Sequence, residues 1–293
     1  MKKKVLITGS SGFLGRYLIK FAPSQVDCLI AQFRTKPPRS YGRKVQYLPL
    51  DFLDKNWDEL KKLHPHVVIH TAALASIDEC EIQPELSWQV NVEVTRRLVD
   101  LANQWQARFI FLSSDVVFDG EKGNYLESDI PNPQNKYAEA KVEAEKYILN
   151  NHEDAVVVRP GIFYGLALNG RPSFTETILK NLHAGKQVYL FTDQFRSPIL
   201  VNNLAVALWE LAQLDFRGII NVAGPQRVSR IQMGELLCNM FKFDKSLLIP
   251  IRSDEANLIA RRPLDCSLDI SLAQKILKTT FVDCRTGFSI AYQ

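Results

Sequence analysis

The chain has 293 residues, of which 46% are hydrophobic and 23% charged, and a formal net charge of +4. That balance fits a globular chain able to bury a substantial core, and it excludes a disordered, collagen-like or disulfide-stapled mini-protein. Thirty-six basic residues stand against thirty-two acidic ones and cluster strongly only at Lys2-Lys3-Lys4, so no broad basic face for nucleic acid is indicated.

The length allows two lobes or one large α/β unit. Five cysteines, Cys28, Cys80, Cys238, Cys266 and Cys284, form no CxxC pair. Their odd number points to reduced thiols. The apolar stretch after the lysines is too short for a signal peptide, and no span of ~20 apolar residues follows. No membrane crossing and a cytoplasmic location are therefore expected.

Short apolar runs occur at Val5-Ile7, Val26-Phe33, Val45-Leu50, Val67-His70, Phe109-Leu112 and Val156-Val158. Between most of them lie helix-patterned segments, Leu14 to Phe21, Trp57 to Leu63, Pro84 to Trp105 and Tyr137 to Asn150. This alternation predicts an α/β fold, a doubly wound parallel sheet covered by helices. Beyond Arg159-Pro160-Gly161 the rhythm changes. Loops at Gly165 to Pro172 and Thr192 to Pro198 flank one helix, Phe174 to His183, while Asn202 to Leu214 and Gly218 to Val222 read as a helix and strand returning to the sheet. The expected division is a dinucleotide-binding domain, 1–160 plus about 199–223, and a smaller discontinuous C-terminal substrate lobe, about 161–198 and 224–293.

The segment Val5 to Gly15 is a buried-strand pattern, a glycine turn and a helix start, with Gly9, Gly12 and Gly15 at GxxGxxG spacing. Gly9 permits the turn, Gly12 lets backbone amides approach a pyrophosphate, and Gly15 allows close packing of helix on strand. Ser11, Phe13 and Leu14 lie within this turn and join the expected cofactor residues, as does Phe52. NAD-selective sites usually place a carboxylate ~20 residues beyond the glycines. Gln32-Phe33-Arg34-Thr35-Lys36 carries cations there instead, and Arg34 with Lys36 could pair with a ribose 2′-phosphate. NADPH is accordingly expected ahead of NADH. Asp51 could accept from an adenine amino group, or cap a helix beginning near Asp54.

Tyr137 and Lys141 stand four apart at the start of a helix-patterned segment and so share a face. A phenol with an ordinary pKa of ~10 needs help to act at neutral pH, and a neighbouring ammonium would favour its anion. Just before them, Arg108 to Asp115 reads as a strand ending in hydroxyls at the carboxyl edge of the sheet, where Ser114 could polarise a carbonyl. The five histidines lack metal-ligand spacing, so no protein metal site is expected; Mg²⁺ would enter only with a diphosphate.

At these residues the chain resembles the extended short-chain dehydrogenase/reductase family, and within it the dTDP-4-dehydrorhamnose reductase branch. The resemblance covers nearly the whole length. It is carried by Gly9 to Gly15, Val67 to Ala73, Val90-Asn91, Ser113 to Gly120, Tyr137 to Lys141, Arg159-Pro160-Gly161, Thr192-Asp193-Gln194 and Arg262 to Asp265. It implies a Rossmann-type domain in which Tyr137 donates a proton, Lys141 lowers its pKa and holds the nicotinamide ribose, and Ser114 contacts a sugar carbonyl. Ala72 and Ala73 would line the adenosine side. Asn91 receives no catalytic role. Asp115, Arg196, Arg261 and Arg262 are the expected substrate contacts. Two departures matter. Asp115 is followed by Val116, where dehydratases of the family carry a Glu, and Phe195-Arg196 stands where the reductase branch usually carries x-Gly.

The resulting expectation is NADPH-dependent reduction of the 4-keto group of a nucleotide-linked deoxysugar, as in dTDP-rhamnose biosynthesis, with a homodimer as the candidate assembly. The same residues also fit a nucleotide-sugar epimerase. A third reading is a non-catalytic NADP-binding regulator resembling the regulatory subunit of methionine adenosyltransferase.

Overall fold

The computed structural model describes residues 3–168 and 170–293. Lys2 of the basic run and one position of the 165–172 loop lie outside the described residues. Six strands follow in chain order, β1 (Lys3–Thr8), β2 (Val26–Phe33), β3 (Val45–Pro49), β4 (Val67–His70), β5 (Arg108–Leu112) and β6 (Ala155–Pro160). With Gly218–Val222 they form one seven-stranded sheet in the order Gly218–Val222, β6, β5, β4, β1, β2, β3. Every pairing in it is parallel. The strand order reverses at β1, which lies between β2 and β4, and in open parallel sheets that reversal leaves a crevice beyond the strand ends. The fold is a Rossmann-type α/β sheet.

Helices cover both faces because successive residues of each strand point to opposite sides. Val5 and Ile7 pack with Leu14 and Leu18 of helix Phe13–Lys20 and with Leu204 and Leu208 of helix Val201–Leu211. Leu6 faces the other way, toward Leu98 and Ala102 of helix Val94–Trp105 and Ile148 of helix Lys136–Asn151. A third core, built around Ile178, Leu190, Leu237 and Phe288, lies in the C-terminal part of the chain. Among the described residues no helix is long and apolar enough to cross a membrane.

Pro84 to Trp105 is not the single helix that its periodicity predicts. Pro84–Trp88 and Val94–Trp105 are α-helical, and Gln89–Glu93 between them is a wider π turn. Asn91 explains the interruption. Its side chain accepts from the Leu74 N–H at 3.0 Å and donates to the Leu74 carbonyl at 3.1 Å, fixing a neighbouring loop to the helix. Such single π turns tend to occur at functional sites. Trp57 to Leu63 shortens to a four-residue helix, Asp58–Lys61.

From Asn91 a buried chain of hydrogen bonds runs back to the glycine turn, and its proton order follows from its members. The Thr95 hydroxyl gives its hydrogen to the Asn91 carbonyl at 2.8 Å, so it accepts from His70 Nε2 at 3.0 Å. His70 Nδ1 then accepts from the Thr8 hydroxyl at 2.7 Å. Thr8 Oγ1 in turn receives the N–H groups of Thr71 and Ala72 at 3.1 and 3.2 Å. Every polar atom in this row is matched, which joins the ends of β1 and β4 beside the crevice.

A second buried device lies one strand over. Arg159 at the end of β6 and Glu145 of helix Lys136–Asn151 are 1% and 3% exposed and pair through Arg159 Nη2 and Glu145 Oε2 at 2.7 Å. Arg159 Nε adds two contacts to the same carboxylate, which also accepts from the Ser113 hydroxyl.

Two predictions follow from these buried groups. Burial pushes the His70 imidazole down to about 3, with Lys141 adding a like-charge effect. The unfolded chain therefore takes up a proton between pH ~6.5 and ~3 that the folded chain refuses, and folding free energy falls with pH in that window, by at most about 1.4 kcal/mol per unit from this group. Urea unfolding at pH 7 and pH 5 is expected to show a smaller loss for His70→Gln than for the wild type. Breaking the other device, Arg159→Met alone is expected to cost about 3–5 kcal/mol by stranding Glu145, and adding Glu145→Leu should recover part of it.

Candidate functional site

A cavity of about 450 Å³ lies at the carboxyl ends of the central strands, bounded by the glycine turn, the ends of β4 to β6 and the start of helix Lys136–Asn151. Gly9, Gly12, Phe13, Leu14 and Gly15 line one part of it. Gly9 has φ +64° in the left-handed region, and a Cβ there would lie 2.8 Å from Ala72 Cα. At Gly15 a Cβ would lie 2.4 Å from the Gly9 carbonyl oxygen. These positions tolerate only glycine. Gly12 is the N-cap of helix Phe13–Lys20 and offers no side-chain acceptor, so no cap claims the first-turn amides. Bare amides at a helix start with no side chain over them fit a pyrophosphate.

The turn is held by a residue whose part in it sequence reading did not anticipate. Gln32, 3% exposed, accepts the Gly9 N–H at 2.8 Å and donates to the Leu50 carbonyl at 2.6 Å. Its position at the end of β2 was legible, but an amide bridging two loops leaves no periodic trace. Arg34 and Lys36 follow it and are exposed, outside the cavity lining. Asp51 caps no helix; its Oδ1 accepts from the Leu53 N–H at 3.0 Å in a local turn, and the next helix starts at Asp58. Phe52 is buried in the core with its ring 5.1 Å from that of Trp57. Ser11 is not among the lining residues, and its carbonyl accepts from Arg16. Ala73 lines the cavity, whereas Ala72 meets the glycine turn through its backbone.

Ser114, Tyr137 and Lys141 all line the same cavity. Asn135 caps their helix by accepting the Ala138 N–H at 2.9 Å, and its amide donates to the Arg261 carbonyl at 3.0 Å. That cap places Tyr137 in the first turn, nearly buried. Lys141, one turn on, donates from Nζ to the Leu112 carbonyl at 2.8 Å and lies 5.8 Å from the Tyr137 ring centroid. Burial pulls the Lys141 ammonium down to about 8, against the pull of Glu145 in the other direction. Burial also pushes the Tyr137 phenol above its ordinary range, opposed by the Ser114 hydroxyl. The net shift of the phenol is therefore upward, burial outweighing the lowering expected from the nearby ammonium. Nζ is engaged by a carbonyl, and desolvation dominates.

Ser114 caps the short turn Asp115–Val117, accepting the Val116 N–H at 3.4 Å and donating to Asp115 Oδ1 at 3.3 Å. Asp115 is buried, and burial raises its carboxyl group against the opposing charges of Arg196 and Arg230.

The arginines divide sharply. Arg196 spends Nη1 on the Phe195 and Leu264 carbonyls at 2.6 and 3.0 Å, Nη2 on the Pro263 carbonyl at 2.9 Å, and faces Asp115 Oδ2 at 3.6 Å. Arg262 pairs with Asp78 at 2.8 Å and bonds the Ala260 carbonyl at 3.2 Å. Arg261 is absent from this lining and borders a neighbouring hollow of about 780 Å³ with Asp119, Asp193 and Arg252. Arg230, which sequence reading missed, lines the main cavity from the first residue of helix Arg230–Phe241. The Ser229-x-x-Gln232 capping box could have located that helix start. Nothing in the sequence indicated that it would face the cavity. Among the described residues no three His, Cys, Asp or Glu side chains gather to hold a metal ion.

Comparison with known proteins agrees with this architecture. The chain is 31% identical to methionine adenosyltransferase 2 subunit beta of Bos taurus over 98% of its own length and 85% of that protein. A structure described as a hypothetical dTDP-4-dehydrorhamnose reductase from Sulfolobus tokodaii superposes with a TM-score of 0.85 at 34% identity, covering 98% and 99% of the two chains. A dTDP-4-dehydrorhamnose reductase from Bacillus anthracis, solved in complex with NADP, matches in fold with a TM-score of 0.86 at 21% identity, over 100% and 99%. The RmlD substrate binding domain matches residues 2–291, and the chain belongs to that family.

Proposed function

We propose that this chain is an NADPH-dependent reductase of the 4-keto group of a nucleotide-linked deoxysugar. The observation that carries the reading is the meeting of Ser114, Tyr137 and Lys141 with the glycine turn around one cavity. In this reading residues 1–160 and about 199–223 bind the dinucleotide, and about 161–198 and 224–293 form the substrate lobe. The amides after Gly12 hold the pyrophosphate, Lys141 the nicotinamide ribose, and Arg34 the 2′-phosphate at the exposed end of β2. When bound, the nicotinamide supplies a hydride to the keto carbon.

The remaining chemistry belongs to the protein. As the carbonyl π pair moves onto oxygen, the Ser114 hydroxyl donates a hydrogen bond to it and the Tyr137 phenol gives it a proton. A phenol raised by burial is protonated at neutral pH and thus ready to donate. The phenolate left behind is stabilised by the Lys141 ammonium one helical turn away. Val116 offers no base after Asp115, which favours reduction over dehydration.

A second reading, a regulatory subunit that binds the dinucleotide without turnover, is favoured by the 31% identity to methionine adenosyltransferase 2 subunit beta. NADPH consumption against a panel of nucleotide 4-keto sugars separates the two. Turnover of at least one sugar is expected, with Tyr137→Phe lowering kcat by roughly 10²–10⁴-fold while cofactor binding persists. No turnover, together with a stable complex with a methionine adenosyltransferase catalytic chain, would select the regulator. NAD retained through purification and no net reduction would select an epimerase. For cofactor choice, Arg34→Leu is expected to weaken NADPH about tenfold or more and leave NADH nearly unchanged, as read by fluorescence titration.

A further inference from the structure

Arg230 has what its neighbours lack, an uncommitted guanidinium. Arg196 is spent on three backbone carbonyls and Asp115, and Arg262 on Asp78 and a carbonyl. Arg230 Nη1 is buried with no hydrogen-bond partner, and among the described residues the side chain has no ion-pair partner. Its guanidinium carbon lies 4.5 Å from the Phe174 ring centroid, which orients the plane without neutralising it. A half-buried cation with one donor shut away from water and unmatched is costly unless an anion completes it. Burial, followed by the like charges of Arg196 and Arg262, pulls Arg230 down to about 9, and Asp115 only partly offsets them.

We propose that Arg230 is a specificity-determining residue that binds an oxyanion of the substrate, either its diphosphate or a carboxylate on its sugar ring. The proposal rests on the nucleotide-sugar reading above. The pyrophosphate of the dinucleotide is provided for by the glycine turn, whereas the charged groups acting on Arg230 are Asp115, Arg196 and Arg262. Asp115 is next to Ser114, so an anion held by Arg230 belongs to the molecule whose carbonyl Ser114 meets. Planar guanidinium and planar or tetrahedral oxyanion pair through two parallel N–H donors, a geometry that lysine cannot reproduce.

The test is calorimetric titration of the full chain loaded with NADP⁺, using inorganic pyrophosphate, UDP, UDP-glucose, UDP-glucuronic acid and D-glucuronate as probes. Arg230→Gln is expected to weaken at least one of them roughly 10- to 100-fold, and Arg230→Lys to weaken it less, with NADP⁺ affinity unchanged in both. Loss on pyrophosphate, UDP and UDP-glucose alike assigns the diphosphate. A loss confined to D-glucuronate and UDP-glucuronic acid assigns the ring carboxylate. Equal affinities of wild type and both variants for every probe, no binding of any probe by the wild type, or an equal loss of NADP⁺ affinity would overturn the proposal. If Arg230→Gln fails to fold, Arg230→Lys alone decides, and unchanged affinities in it overturn the proposal. An anion effect without turnover of any 4-keto sugar leaves Arg230 standing and removes the reductase reading, while turnover unaffected by Arg230→Gln, with unchanged probe affinities, does the reverse.

Discussion

Backbone approaching backbone at the reversal of strand order is the constraint on which the site depends. Gly9 at the end of β1 sits so close to Ala72 beyond β4 that no Cβ fits between them. That closeness must be maintained without side-chain packing, and polar groups maintain it. Thr8, His70 and Thr95 form a row in which each hydrogen has one destination, and Gln32 ties the same turn to β2 and Leu50. An apolar substitution anywhere in the row would strand a partner in a dry interior, where an unmatched polar group costs about 1–3 kcal/mol. Matched polar groups thus hold the glycine turn from both β2 and β4.

The same dryness governs the ionisable residues around the cavity. Burial is the largest influence on Tyr137, Lys141, Asp115 and Arg230 alike, and in each it favours the neutral form. Proximity of opposite charges only trims the effect. Desolvation thus holds the phenol protonated, beside an ammonium fixed by the Leu112 carbonyl.

Much of this was legible in the sequence because parallel strands and amphipathic helices leave strong periodic traces. β2, β4, Phe174–His183 and Gly218–Val222 fall where the pattern places them. The glycine turn, Ser114, Tyr137 and Lys141 were recognisable because short fixed spacings carry them. What escaped was non-local. The π turn at Asn91 comes from one amide reaching a loop seventeen residues earlier. The two-residue strands Phe195–Arg196 and Val228–Ser229 are too short to show any period, yet their pairing sets Arg230 just beyond the sheet edge. The direction taken by the Lys141 ammonium escaped for a related reason. Spacing shows that two side chains share a helix face, but a carbonyl from β5 decides where the ammonium points.

The departure at Phe195-Arg196 has a structural consequence. The Arg196 guanidinium reaches across to the carbonyls of Pro263 and Leu264, while the Phe195 N–H also bonds Leu264 at 2.7 Å and the Arg227 guanidinium lies 3.6 Å from the Phe195 ring centroid. A glycine at 196 could supply none of the side-chain bonds. Arg196 therefore acts as a brace that holds the 263–264 segment and, through Asp115, reaches the turn that presents Ser114. Arg196 also lines the cavity, so one side chain both braces the 263–264 segment and faces the space beside Ser114.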